Sequence, residues 1–201
     1  MSVYKSPRRT QAERRQRTRS ALLESAARNF SRYGYANVAL EQVAADAGYT
    51  RGALYHLFRG KEQLALAVIQ WVAASWEQEV GSAADDAATP VDGIVAVARG
   101  HMVFCRRDIA RVLMALRLEF AGQQHPVGDG VVAITADAAR RVASLVRAGR
   151  ADGSIAPGPP PAALATACMA ALEGLAIYMA GEPHDELVAE RAVRGLLKAP
   201  G

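Results

Sequence analysis

Two short apolar stripes joined by Ala47-Gly48-Tyr49-Thr50 constrain this chain more than anything else in it. Leu40, Val43, Ala44 and Ala47 recur at helical spacing and stop at Gly48. A further helix is expected over Arg51–Phe58. Thr50 is its predicted N-cap, since a hydroxyl there accepts a bond from an otherwise unpaired first-turn amide. A glycine-containing connection of three or four residues between two short helices is the helix-turn-helix pattern. Glycine permits the left-handed turn that swings the later helix across the earlier one. Leu54 and Phe58 are four apart and are predicted to face inward, which leaves Arg51, Tyr55 and His56 on the other side. Hydrogen-bonding side chains on an exposed helix face suit a major groove, where base edges present donors and acceptors. Phosphate contacts are expected from Tyr55, from the helix N-terminus at Thr50, Arg51 and Gly52, and from Lys61. A small helical subdomain with a chance glycine turn is the other reading of these residues.

The rest of the chain also reads as helix. Alanine and leucine are abundant, both strong helix formers, and no segment alternates long enough to suggest a strand. Ser20–Tyr33 places Leu22, Leu23, Ala26, Ala27 and Phe30 on one side, and Gly34 stops it. A helix from Lys61 to about Ser82 aligns Leu64, Val68, Val72 and Trp76. Ser82–Pro90 is small, acidic and polar, and reads as a linker. Five more helices are predicted at Val91–Cys105, Asp108–Ala121, Gly130–Arg150, Ala162–Ala180 and Glu186–Lys198, with loops at Gln123–Gly128 and Asp152–Pro161. The expected architecture is all-α with about nine helices. It comprises a basic arm over 1–17, a helix-turn-helix DNA-binding head over 18–64, and a helical body over 65–201.

Charge is unevenly placed. Residues 1–62 carry twelve basic and five acidic groups, so they are more positive than the whole chain at +4. A basic first third on a slightly acidic body suggests a polyanion partner that touches one end, or else a solvated basic tail. Arg8, Arg9, Arg14, Arg15 and Arg17 form the arm. It either enters a minor groove or the backbone, or is a frayed tail that raises non-specific affinity.

Composition excludes several classes. With 51% hydrophobic residues over 201 positions the chain can bury a sizeable core and is not disordered. Cys105 and Cys168 are too few for a disulfide framework and lack metal spacing, so both are expected as reduced thiols. Residues 1–20 lack the apolar region of a signal peptide. The uncharged stretch Ala156–Leu172 holds four prolines, so no membrane span is expected. The expected location is the cytoplasm. No nucleophile–base set, metal cluster or phosphate loop is visible, so neither an enzyme nor a cofactor is expected.

The stretch Thr18 to Val72 resembles the N-terminal domain of TetR (tetracycline-repressor) family transcriptional regulators. The resemblance runs through Thr18-Arg19, Leu22-Leu23-Glu24-Ser25-Ala26-Ala27, Phe30, Gly34-Tyr35, Val43-Ala44, Ala47 to Tyr55, Phe58 and Lys61-Glu62-Gln63-Leu64. Three positions depart from the family's usual pattern. Val38 and Ala39 stand where one or two hydroxyl residues open the second helix, which leaves Asn37 as the candidate cap. Leu57 stands where histidine is common, with His56 one place earlier.

The resemblance implies a homodimer on double-stranded, near-palindromic operator DNA, acting more often as a repressor than as an activator. It implies dimerisation through the last two long helices. Ala162–Ala180 agrees with that, because it is apolar nearly all round and a helix apolar on every face must be buried on every face. It also implies an unknown small-molecule effector inside the body. The candidates are Trp71, His101, Phe104, Met114, Arg117, Phe120, Glu173 and Tyr178, polar or aromatic groups on otherwise apolar helices. Glu173 and His101 lead, since an ionisable group among apolar neighbours needs a partner. Two other modes of control remain open at this point. One is regulation by a protein partner or by no ligand at all. The other is a thiol switch at Cys105 or Cys168.

Overall fold

A computed structural model of the protein describes residues 10–198. Nine helices run through them, with no strand among the described residues. They are α1 Gln11–Asn37, α2 Leu40–Asp46, α3 Arg51–Leu57, α4 starting at Lys61–Trp76, α5 Pro90–Cys105, α6 Arg111–Glu119, α7 Pro126–Ala151, α8 Pro161–Met179 and α9 Asp185–Leu197. Helix α4 continues without a break through a π turn, Glu77–Gly81, and a last α turn, Ser82–Asp85. The expected linker at Ser82–Pro90 is therefore mostly helix, and only residues 86–89 separate α4 from α5. Pro126–Gly128, expected as loop, opens α7 instead, with His125 accepting from the Val127 amide at its N-cap.

Helix α1 begins well before the predicted Ser20. Thr10 accepts from the Glu13 amide and the Glu13 carboxylate accepts from the Thr10 amide, a reciprocal capping box. Arg14, Arg15 and Arg17 are consequently helical rather than part of an unfolded arm, while Arg8 and Arg9 lie outside the described residues. Gly34 breaks the helix at φ +76° without ending it, and one more turn follows to Asn37.

The head is α1 to α3 sealed by the start of α4. Leu22, Ala26, Ala27 and Phe30 of α1 are buried against Val43, Ala44, Leu54, Phe58 and Leu64. A polar ladder fixes α2 on α1. Ser25 donates to the Val43 carbonyl at 2.9 Å, and Asn29 donates to the Asp46 carboxylate at 2.9 Å. Those bonds from Asn29, and then from Gln42, hold the Asp46 carboxyl below its ordinary pKa.

In the body, α9 packs on α5 and α8, α8 on α7, and α7 on α4, α5 and α6. Ion pairs tie α5 and its C-cap to α9, Arg99 to Glu190 and Arg106 to Asp185 and Glu186. Asp185 is only 2% exposed, accepts two bonds from Arg106, and takes the Gly181 and Glu186 amides besides. Those hydrogen bonds, Arg106's first, hold its carboxyl below the usual range.

Helix α8 is apolar enough by length and composition to cross a membrane, with a mean hydropathy of 1.6, yet only 22% of that window is buried. Leu164, Ala165, Cys168 and Leu172 face the core. Ala163, Ala167 and Ala170, with Ile177 at 59% and Tyr178 at 84% exposure, do not. The expectation of burial on every face is thus met on one side only within a single chain.

Candidate nucleic-acid interface and effector cavity

The turn between α2 and α3 has the predicted construction. Gly48 takes φ +75°, and the Tyr49 amide reaches back to the Ala44 carbonyl at 2.9 Å. Thr50 accepts from the Ala53 amide and caps α3. Leu54 and Phe58 are buried, whereas Arg51, Gly52, Tyr55 and His56 are exposed. The Arg51 guanidinium lies 5.2 Å from the Tyr55 ring centre and 3.1 Å from Glu41 of α2. Arg51 is thereby oriented but remains two-thirds exposed. Arg14 and Arg15 of α1 line a groove with Ala53 and His56 of α3. Sequence reading assigned these two arginines to a separate arm, and the Thr10-to-Glu13 pattern was the signal that places them on the same surface as α3.

Two residues near this surface do other work. The Lys61 ammonium donates to the Tyr35 and Ala36 carbonyls at 2.9 and 3.0 Å and sits over the Tyr35 ring. It closes the last turn of α1, so two of its three donors are engaged inside the fold and one is left for the phosphate contact expected of it. Helix α2 starts at Ala39 with no side-chain cap. Asn37 does not substitute, because its amide donates back to the Tyr33 carbonyl. Val38 is buried and Leu57 packs partly against the core, so neither presents a polar group outward.

The same last turn of α1 is gripped from the body. The Glu119 carboxylate, at the end of α6, accepts from the Tyr35 and Ala36 amides at 2.5 and 2.8 Å. Gly34 makes room, since a Cβ there would lie 3.0 Å from a Glu119 oxygen. Tyr35 stacks on Phe30 within the head and meets Phe120 and His125 of the body edge-on at 5.2 and 5.5 Å. Residues 35 and 36 are thus held by Lys61 from the head side and by Glu119 from the body side.

A cavity of about 300 Å³ lies among α4 to α8. Of the eight predicted effector residues it brings together four, His101, Phe104, Met114 and Glu173. The other four are placed elsewhere, and the reason in each case is helical phase or length. Trp71 packs partly buried against the core, one turn before the wall. Arg117 is exposed and donates to the Thr135 hydroxyl at 3.4 Å. Phe120 stacks on His125 at 4.3 Å beyond the end of α6. Tyr178 points away from the body at 84% exposure. Sequence reading missed Trp76, Cys105, Leu113, Ile134, Thr135 and Met169 in the wall. Trp76 stood at the end of the stripe Leu64, Val68, Val72, and that spacing was the available signal.

The polar groups of the wall are arranged in a chain. The Trp76 indole N–H donates to His101 Nδ1 at 3.3 Å, which puts the imidazole proton on Nε2, 3.4 Å from the Cys105 sulfur. Burial pushes the His101 pKa down to about 4, so the ring is neutral. Burial, with the Glu173 charge adding, pushes the Cys105 thiol up to about 12, and burial raises Cys168 to about 11. Both shifts disfavour the thiolate, the reactive form of cysteine, near neutral pH. Burial also raises the Glu173 carboxyl, opposed by the charge of Arg117.

Residues 22–68 match the profile described as bacterial regulatory proteins, tetR family. That stretch, which holds α2, α3 and most of the head's core, is similar to the N-terminal domain of the TetR family. Over 78 residues, 38% of the chain, it is 32% identical to an uncharacterized HTH-type transcriptional regulator, YxaF, of Bacillus subtilis (strain 168). Over 160 residues, 77% of the chain, it is 29% identical to the A-factor receptor protein of Streptomyces griseus. These matches span only 41% and 52% of the two curated relatives. A TetR transcriptional regulator from Chloroflexus aurantiacus J-10-FL superposes with a TM-score of 0.76 at 25% identity, covering 92% of this chain and 94% of that one. The family and the relatives compared are regulators, not enzymes.

Proposed function

We propose that this protein is a TetR-family DNA-binding transcriptional repressor, working as a homodimer on near-palindromic operator DNA in the cytoplasm and released by a small molecule held among α4 to α8. The observation that carries the DNA reading is the division of α3. Leu54 is buried while Arg51, Gly52, Tyr55 and His56 stand in solvent, His56 in a groove shared with Arg14 and Arg15. Arg51 and His56 carry donors suited to base edges. The free amides at the start of α3, Tyr55, and the arginines of α1 suit phosphates.

Pairing is supported by the bare side of α8 and α9. Ala163, Ala167, Ala170, Ile177 and Tyr178 are exposed along one side of α8, and α9 adds the exposed Leu187 and Leu196 at 49% and 37%. Apolar groups left open on two adjacent helices favour an interface, and a second copy across a two-fold axis would cover that side of α8. Two α3 helices then enter grooves on one side of a duplex. The name of the A-factor receptor protein supports ligand control, and the cavity favours a small molecule over a protein partner. Helix α6 gives the route between the two sites. It lines the cavity with Leu113 and Met114 and ends at Glu119 on the last turn of α1. An effector shifts DNA binding only by binding the two arrangements of this joint unequally.

The test is operator binding by substituted protein. Tyr55→Ala weakens binding uniformly across operator variants, whereas Arg51→Ala or His56→Ala changes preference at one operator position, by about 1–3 kcal/mol. A uniform loss from all three contradicts the assignment of base contacts.

A further inference from the structure

The wall of the cavity is unbalanced in charge. Its carboxylates are Glu77, Asp137 and Glu173, and neither lysine nor arginine lines it. Two of the three are already neutralised at the rim. Glu77 pairs with Arg141 and Asp137 with Arg140, and both acids are more than half exposed. Glu173 differs. It projects from mid-α8 into the wall shared with a second, adjoining cavity, and it has no hydrogen-bond or ion-pair partner among the described residues. Arg117 acts on it only at a distance from the exposed side of α6, where its guanidinium reaches Thr135. Arg111 borders the adjoining cavity alone.

The other polar groups of the inner wall are engaged. The indole N–H of Trp76 is donated to His101, and the remaining imidazole proton faces Cys105. The rest is apolar or aromatic, chiefly Phe104, Leu113, Met114, Ile134 and Met169. A half-buried carboxylate left alone among such neighbours gains most from a cation brought in with its own apolar body, and an indole in the same wall adds attraction for that cation.

We propose that the effector is a hydrophobic amine whose ammonium pairs with Glu173 while its apolar part fills the space between Trp76, Phe104, Met114 and Met169. This rests on the reading of the cavity as the effector site. The volume of about 300 Å³ is at the small end for a ligand pocket, which sets the size at one ring and a short chain. Anions of the same shape are disfavoured, because they would meet Glu173 with no cation in the wall to oppose it.

Three probes of one shape test this: 4-phenylbutylamine, 4-phenylbutan-1-ol and 4-phenylbutyrate. Binding to the full chain is followed by tryptophan fluorescence and calorimetry, and release from operator DNA is followed in parallel. The amine is expected to bind about tenfold or more tighter than the alcohol, with the carboxylate weakest, and to release DNA. Glu173→Gln keeps the side-chain shape and is expected to level the amine with the alcohol. Equal or tighter binding of the carboxylate, or an amine preference unchanged in Glu173→Gln, overturns the amine assignment and leaves the cavity as the effector site. Ala138→Phe, which fills the cavity, separates the remaining case. If no probe binds but Ala138→Phe alters operator affinity, the amine assignment falls alone. If no probe binds and Ala138→Phe changes nothing at the operator, the cavity reading falls with it.

Discussion

The head and the body of this protein are built on opposite principles. The head presents charge and hydrogen-bonding groups outward from a small, complete core. The body hides its polar groups around a hollow and leaves an apolar face in the open. In the head the turn and the start of α3 are fixed by neighbours close in sequence, Thr50 by Ala53, Arg51 by Tyr55 and Glu41, and Tyr49 by Ala44. In the body the important groups meet across long separations, Trp76 with His101 and Arg106 with Asp185. A surface for a stiff, uniform polyanion can be written locally. A cavity and a pairing face depend on how several helices are phased against one another.

The contrast can be broken at the head's core first. Leu54→Ala empties the only buried position of α3, and a loss of about 2–5 kcal/mol is expected from chemical denaturation, with operator binding lost as α3 detaches. A loss below 1 kcal/mol would mean that α3 is not seated on Leu54.

The body's hidden polar chain gives the next effect. His101 has a pKa of about 4 when folded and 6.5 when exposed, so protonation favours unfolding. Its contribution is complete above pH 6.5 and is lost as pH falls toward 4, by roughly 3 kcal/mol. Stability measured across that window is expected to flatten in His101→Asn. Asp185 and Glu190, whose carboxyls are held low by arginine partners, lose their contributions as pH falls through the ordinary carboxylate range and below, and this loss is common to both proteins, so the difference between them isolates His101. An unchanged slope in the variant would contradict a buried neutral imidazole.

The joint between the two regions comes third. Glu119→Gln replaces charge-assisted bonds to the Tyr35 and Ala36 amides with a single neutral acceptor, at an expected cost of about 1–2 kcal/mol. Effector-driven release from DNA is expected to weaken more than either binding step alone. If release is untouched, coupling does not pass through residues 35 and 36. Smallest of all, removing the exposed Arg28–Glu24 pair with Glu24→Gln is expected to change stability by less than about 0.5 kcal/mol.

The head was legible in the sequence because its signals are local. Gly48, Thr50 and the Leu54–Phe58 spacing each state a backbone or burial requirement within a few residues. What escaped notice there was also local, the capping box at Thr10 and Glu13 that draws Arg14 and Arg15 into α1. The bonds from Lys61 to the Tyr35 and Ala36 carbonyls were not legible, because those partners lie more than twenty residues away. The body was legible as helices but not as a site. Polarity on an apolar helix identified His101 and Glu173, yet the same criterion chose Trp71 over Trp76 and Tyr178 over Thr135. Helical phase relative to neighbouring helices decides which of these faces inward, and one helix's pattern does not carry that information.

The most direct measurement is footprinting of the protein on fragments it selects from genomic DNA, repeated over a range of salt. Two protected half-sites of related, inverted sequence are expected, about 34–36 Å or a multiple apart on one side of the duplex, with affinity falling steeply as salt rises. Fragments without shared sequence, or an affinity indifferent to salt, would contradict a paired head that reads operator DNA.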